Sequence, residues 1–356
     1  MRIQTFQIVN SDPSADILSP TNQFLSKYFV RNGLERVFDY NPDVFVAINH
    51  SKSEYRKFLK RGGNSRKAFL IRLEPKSVYP KQFKKRIEEM YELVITPGSN
   101  SDFLEGKDFV GWPYMLNANP AKPSQSEFRL NEFKSSIQPR VFDELANWMQ
   151  RPKFMTMIAA NKVSPRLNSN YRIRRLLAIQ MESAKLEVWG GLWNDSLSVK
   201  ANHRVRTALA NLKSGVVPNP FSIYGGILKK YSNAVGEIEN KFDVIQESKF
   251  SLVIENCDDY VSEKLFDAIV GGSVPIYIGP NLESVGLPSS IAVTGVRTAG
   301  EIKLVVESLS NDDVFALLQA GREFMLSNLF KDLWNADRVF QKLSETIISS
   351  ADNRDS

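Results

Sequence analysis

The stretch Lys249-Phe-Ser-Leu-Val-Ile-Glu-Asn-Cys-Asp-Asp-Tyr-Val-Ser-Glu-Lys-Leu-Phe-Asp-Ala-Ile-Val-Gly-Gly-Ser-Val-Pro-Ile-Tyr-Ile-Gly279 changes its hydrophobic period twice. Phe250 to Ile254 is an apolar, β-branched run that stops at the polar turn Glu255-Asn256-Cys257-Asp258-Asp259, the pattern of a strand buried on both faces. From Ser262 the period becomes helical. Val261, Leu265, Ala268 and Ile269 share a face, Ser262 is placed to cap the start, and Gly271-Gly272 to end it. Val274 to Ile278 is a second strand. Strand, helix and strand in about thirty residues make a βαβ unit, with a right-handed crossover and its first turn at the carboxyl edge of a parallel sheet.

That turn carries Glu255, Asn256, Tyr260, Ser262, Glu263 and Lys264 at the start of a helix. Unpaired backbone N–H groups and the positive end of the helix dipole favour an anion there, such as a phosphate. A capped surface helix with a solvated Glu–Lys pair uses the same residue types. The stretch also resembles the C-terminal motif of the α-1,3/4-fucosyltransferases, glycosyltransferase family 10, of the bacterial type. In that motif F-x-x-x-x-E-N is followed by Y-[VI]-[TS]-E-K and then by A-x-x-x-G-x-V-P. Phe250, Glu255, Asn256, Tyr260, Val261, Ser262, Glu263, Lys264, Ala268, Gly272, Val274 and Pro275 all fit.

The resemblance implies an α/β chain with the GT-B glycosyltransferase fold, two Rossmann-like domains facing a central cleft. It implies inverting transfer of L-fucose from GDP-fucose to a hydroxyl of a glycan or glycolipid acceptor, with an α-1,3-type linkage and a role in surface polysaccharide or glycoprotein synthesis. In such a site Glu263 accepts from the ribose hydroxyls, Lys264 faces the diphosphate, and Tyr260 and Asn256 shape the pocket. Glu255 either joins the donor pocket or is a buried acid that positions the loop. Because the motif describes phosphate and ribose handling, a different nucleotide-sugar donor fits the same residues.

At 356 residues the chain exceeds one ordinary hydrophobic core, so two domains are expected. No apolar run approaches the ~20 residues that span a bilayer. Residues 1–10 lack the apolar core and cleavage site of a signal peptide and read as the first strand. The expected location is cytoplasmic, with peripheral contact to the inner face of the membrane compatible with the charge. Cys257 is the one cysteine and there are two histidines, which excludes an intrachain disulfide and argues against structural zinc. Net charge is +6, and Lys52 to Arg86 holds thirteen Lys and Arg against Glu54 and Glu74. That excess reads as a solvated helix face or as an attractor of anionic glycan or membrane, including in a non-catalytic binding module; no nucleic-acid module accompanies it.

Apolar runs and helix-like stretches alternate through the first half: Ile3 to Val9, Gln23 to Val30, Val44 to Ile48, Glu54 to Leu59, Ala68 to Leu73, Gln82 to Tyr91, Leu93 to Thr96. This predicts a mostly parallel sheet with helices on its faces. Residues 1–150 are expected to form the acceptor-binding domain, 151–348 the donor-binding domain, and 349–356 a disordered tail. The second series opens with the strand Phe154 to Ala160, a loop from Asn161, a basic helix from Tyr171, and the strand Leu186 to Trp189. Residues 194–219 show no clear period. Family resemblance over this half assigns Asn161 to the donor site and a phosphate-binding arginine to Arg172 or Arg174, spacing favouring Arg172.

An inverting transfer needs a base that removes the acceptor proton as the hydroxyl attacks an oxocarbenium-like carbon. By the same resemblance the base follows an apolar strand of the first domain and precedes a proline, as Glu74 does in Ala68-Phe-Leu-Ile-Arg-Leu-Glu-Pro75. Glu92 and Asp102 are the next carboxylates to consider. Fixed cations, Lys264 and Arg172, would answer the charge that grows on the departing diphosphate. No metal is therefore required, although stimulation by added Mg²⁺ or Mn²⁺ is compatible with the scheme; Asp258-Asp259 and Asp312-Asp313 are discounted as a metal pair.

Overall fold

A computed structural model describes residues 5–10, 20–38, 42–72, 80–96, 145–164, 169–212, 230–258 and 260–352. In chain order these form β1 (Thr5–Asn10), α1 (Pro20–Arg31), β2 (Glu35–Arg36), β3 (Val44–Ile48), α2 (Lys52–Lys60), β4 (Ala68–Ile71), α3 (Lys85–Glu88) and β5 (Leu93–Ile95). There follow α4 (Leu145–Met149), β6 (Lys153–Ile158), α5 (Tyr171–Gln180), β7 (Leu186–Trp189), α6 (Leu197–Leu212), β8 (Ala234–Gly236) and α7 (Lys241–Ile245). Last come β9 (Ser248–Ile254), α8 (Lys264–Val270), β10 (Val274–Ile278), α9 (Ala299–Ser308), α10 (Asn311–Leu326), α11 (Asn328–Leu333) and α12 (Ala336–Asp352).

The strands build two parallel sheets, ordered β2-β1-β3-β4-β5 and β10-β9-β6-β7-β8. In the first, β3 lies beside β1 and β4 in register Phe6 to Val44 and Phe45 to Ala68. All five residues of β3 are buried because both faces are covered, as in other parallel sheets. Val44, Val46 and Ile48 meet Leu25 and Phe29 of α1, whereas Phe45 and Ala47 meet Tyr55 and Phe58 of α2. In the second, β9 lies between β10 and β6, its Phe250 level with Val274 of β10 and Met155 of β6. Phe250, Leu252 and Ile254 pack with Leu177 and Ala178 of α5.

Two compact units contain these sheets, one of residues Met1–Arg129 with Asn328–Ser356, the other Leu130–Ser327. The division differs from the expected boundaries at 150 and 348. Trp148 of α4 packs edge-on to Phe250 and donates its indole N–H to the Lys249 carbonyl, which ties α4 to the second unit. The stripe Val339, Phe340, Leu343, Ile347 and Ala351 of α12 buries instead in the first unit's core, where Phe340 stacks on Phe24 and Asp337 pairs with Lys27. The expected tail from 349 is helical as far as Asp352. Two local readings also change. Gln82 to Tyr91 is a 3₁₀ turn at Pro80–Phe83 followed by the short α3, and the patternless 194–219 contains the sixteen-residue α6.

Candidate functional site

β9 delivers Glu255 to the carboxyl edge of its sheet, with the side chain fully buried. Burial pushes its carboxyl above the ordinary range, and the Lys264 charge and Ser262 hydrogen bonds work against that push. Oε1 accepts from the Ser262 backbone N–H at 2.9 Å and Oε2 from the Ser262 hydroxyl at 2.6 Å. Lys264 Nζ donates to that hydroxyl at 2.8 Å and lies 3.7 Å from Oε2. Gly279 makes the burial feasible: a Cβ there would meet the Tyr277 hydroxyl and come within 2.8 Å of Glu255 Cγ.

Ser262 therefore does not cap α8. The cap position belongs to Glu263, and the Ser262 hydroxyl is turned to Glu255. Of the two readings of Glu255, its full burial and its two bonds to Ser262 have the geometry of an acid that positions the loop. Lys264 keeps 21% of its side chain exposed, so its ammonium is oriented from one side and open on another. Beside it Glu263 lines a pocket with Lys241, Asp267, Thr156 and Ser251 against the sheet. Burial opposes ionisation of Glu263, but Lys264, Lys241, its own backbone N–H and Arg174 outweigh it, so the carboxyl sits below the ordinary range. Lys241 is paired with Asp267.

The two candidate arginines of α5 separate. Arg174 is buried, stacked on Tyr171, and its Nη2 donates to the Ile254 carbonyl at 2.6 Å and to Asn256 Oδ1 at 2.8 Å. It fastens α5 to the loop after β9. Arg172, on the first turn of α5, is exposed. Asn170 completes the seam: its N–H donates to the Asn256 carbonyl, its side-chain amide to Asp258, and Arg297 bridges both. Tyr260 is buried in the same loop. Asn161 is buried in the turn after β6, with its N–H on the Gly191 carbonyl and its side-chain amide on Leu192. That turn needs Gly190, at φ +127°, where a Cβ would lie 2.7 Å from the Ala159 carbonyl oxygen.

Glu74 and Asp102 lie outside the described residues, as does Asp259. Asp258 is held by Arg297 and Asn170, and Asp313 closes a capping box with Ser310 at the start of α10. The basic 52–86 region is not uniformly solvated: Arg72 is buried, stacked on Phe83 and paired with Glu88 at 2.9 Å. Arg297 and Lys241 gave no sequence signal, since each acts on a partner about thirty or forty residues away. No helix among the described residues is long and apolar enough to cross a membrane.

The two parallel sheets and their helices overlay on the crystal structure of an alpha1,3-fucosyltransferase with GDP at a TM-score of 0.52 and 11% identity, over 98% of this chain and 89% of that one. The fold is thereby the GT-B fold. Residues 193–315 match the model of glycosyltransferase family 10 (fucosyltransferase), C-terminal part. A putative fucosyltransferase-like protein of Arabidopsis thaliana is 32% identical over 111 residues, 30% of this chain. That match spans about a fifth of the relative's length. Residues 193–315, about a third of the chain, are thus similar to the C-terminal part of glycosyltransferase family 10.

Proposed function

We propose that the protein is an inverting glycosyltransferase that moves L-fucose from GDP-fucose to a glycan hydroxyl, with an α-1,3-type linkage. The observation that carries this reading is the buried Glu255–Ser262–Lys264 chain, which fixes an ammonium at the carboxyl edge of β9 inside the family-matched segment. In the reaction the acceptor oxygen forms a bond to the fucose anomeric carbon while the bond to the diphosphate breaks. The acceptor proton passes to a carboxylate, for which Glu74 is the proposed base. Lys264 and the exposed Arg172 answer the charge arriving on the diphosphate, and a fixed cation strengthens as that charge grows. Glu263, held ionised, accepts from the ribose hydroxyls. This scheme uses protein cations as counter-charge and routes no step through a metal. The proposed setting is the cytoplasm, with the acceptor as free glycan or at the membrane face.

Incubation with GDP-fucose and acceptors ending in N-acetylglucosamine or glucose should release GDP and yield fucosylated product. Glu74→Gln should lose transfer with donor binding retained. Silence across the panel together with absence of GDP-fucose binding would overturn the proposal.

A further inference from the structure

Five of the chain's six net positive charges come from one short segment. Residues 52–66 contain six Lys and Arg against Glu54 alone, and the rest of the chain is nearly balanced. α2, which makes up most of that segment, turns its rings to the sheet: Tyr55 and Phe58 are buried, and Phe58 stacks on Phe45 with 4.5 Å between ring centroids. The helical period then sends Lys52, Arg56 and Lys60 outward in one row, with Arg61 closing the helix, and all four are exposed. Gly63 lets the next turn fold back on the helix, since a Cβ there would lie 2.3 Å from the Phe58 ring, and this turn adds the exposed Arg66.

The nearby acids are engaged elsewhere. Glu54 pairs with Lys57 at 2.7 Å, Glu88 with Arg72 at 2.9 Å and Glu89 with Lys85 at 3.8 Å. Among the described residues no acid pairs with Lys52, Arg56, Lys60, Arg61 or Arg66. α3 packs on the same face of the sheet as α2, and its Arg86 continues the positive surface, because Arg86 and Lys52 both act on His50. Leu59, one turn from Arg56, is 41% exposed beside the row. Solubility does not call for this arrangement, since it is served by charges of both signs spread over a surface.

A plane of negative headgroups answers each part of it. A row of cations along a helix about 13 Å long meets a flat surface all at once. Each Lys or Arg held near such a surface strengthens binding about fivefold, and a neighbouring apolar side chain leaves water at the headgroup boundary. An anionic polysaccharide would engage the cations and make no use of Leu59.

We infer that the outward face of α2, with Lys52, Arg56, Lys60 and Arg61 in front and Leu59 at its edge, docks the protein on an anionic phospholipid surface. The face belongs to the first unit and its role stands whether or not the chain transfers fucose.

The test is co-sedimentation of the full chain with vesicles of phosphatidylcholine alone and with about a third of phosphatidylglycerol added. The native chain should bind the anionic vesicles and not the neutral ones, and binding should weaken at least tenfold between low and physiological salt. Arg56→Ala with Lys60→Ala should weaken it tenfold or more, and Arg56→Lys with Lys60→Arg should keep it. Lys331→Ala, at an exposed cation of α11, should leave it unchanged. Leu59→Ser should weaken vesicle binding and leave heparin binding as it was, and the emission of Leu59→Trp should shift to the blue on anionic vesicles. If the double alanine variant fails to fold, the Leu59→Trp emission, read on a chain with its charges intact, decides. Failure to bind anionic vesicles at low salt, equal binding by native and double alanine chains, or binding of heparin without binding of vesicles overturns the inference. None of these readouts uses nucleotide or transfer, so the inference and the proposed reaction fail separately.

Discussion

Ser262 donates to Glu255 twice, through its hydroxyl at 2.6 Å and its backbone N–H at 2.9 Å. One buried carboxylate thus fixes the loop that carries Glu263 and Lys264. Glu255→Ala strands two donors and a charge partner in the interior, and should cost about 3 kcal/mol in urea denaturation. Ser262→Ala, which keeps the backbone bond, should cost about 1–2 kcal/mol. Both should weaken donor binding. A loss under ~1 kcal/mol for Glu255→Ala would show that the acid does not hold the loop.

Arg174 and Arg172 should behave as opposites. Arg174→Ala removes two charge-assisted bonds to the β9 loop and should lower stability by about 2–4 kcal/mol. Arg172→Ala, at an exposed position, should leave stability within about 0.5 kcal/mol and weaken GDP binding roughly tenfold. Melting curves and calorimetry on the pair check this, and the reversed pattern would make Arg174 the phosphate ligand.

Stability should rise with pH through the histidine range. Burial first, then Lys52 and Arg86, holds His50 below its ordinary value of 6.5, and burial, Lys162 and Arg204 do the same to His203. Below about pH 6.5 the unfolded chain therefore binds more protons than the folded one. Their contribution is present above 6.5 and is lost as pH falls toward the folded values. Glu255 acts in the other direction, because its folded carboxyl is raised. The histidine part is isolated by comparison with His50→Gln. Between pH 7.5 and 5.5 the native chain should lose more stability than this variant, and equal losses would contradict the assignment.

Phe340 is fully buried and stacks on Phe24 of the first unit. Phe340→Ala should cost about 3–5 kcal/mol. Hydrogen exchange should quicken in β1 and β3 before β9; loss of protection in β9 first would place α12 with the second unit.

The βαβ unit at the centre was legible because its signals are local. Phe250 to Ile254 and Val274 to Ile278 are buried on both faces, so apolar residues dominate them, with Ser251 accommodated by its bond to Ser273. α6 was not legible for the opposite reason: its buried face is Lys200 and Arg204 and its exposed face is Leu209 and Leu212, so the usual signal for a helix is inverted. α12 was recognised as a helix, but its partner is α1, some three hundred residues earlier, and a stripe of apolar residues does not name the surface it will cover. At the site the motif residues were found, whereas the role of Ser262 was misread: a serine before a helix has the chemistry of a cap, and its turn toward Glu255 follows from a buried acid that local sequence does not reveal.

The most direct measurement is calorimetric titration of the native chain and of Lys264→Ala with GDP, GDP-fucose, UDP and UDP-glucose. The account predicts binding of GDP and GDP-fucose, none of the uridine nucleotides at the same concentrations, and at least tenfold weaker GDP-fucose binding by Lys264→Ala. Binding of the uridine nucleotides in place of GDP, or GDP-fucose binding that Lys264→Ala leaves unchanged, would contradict it.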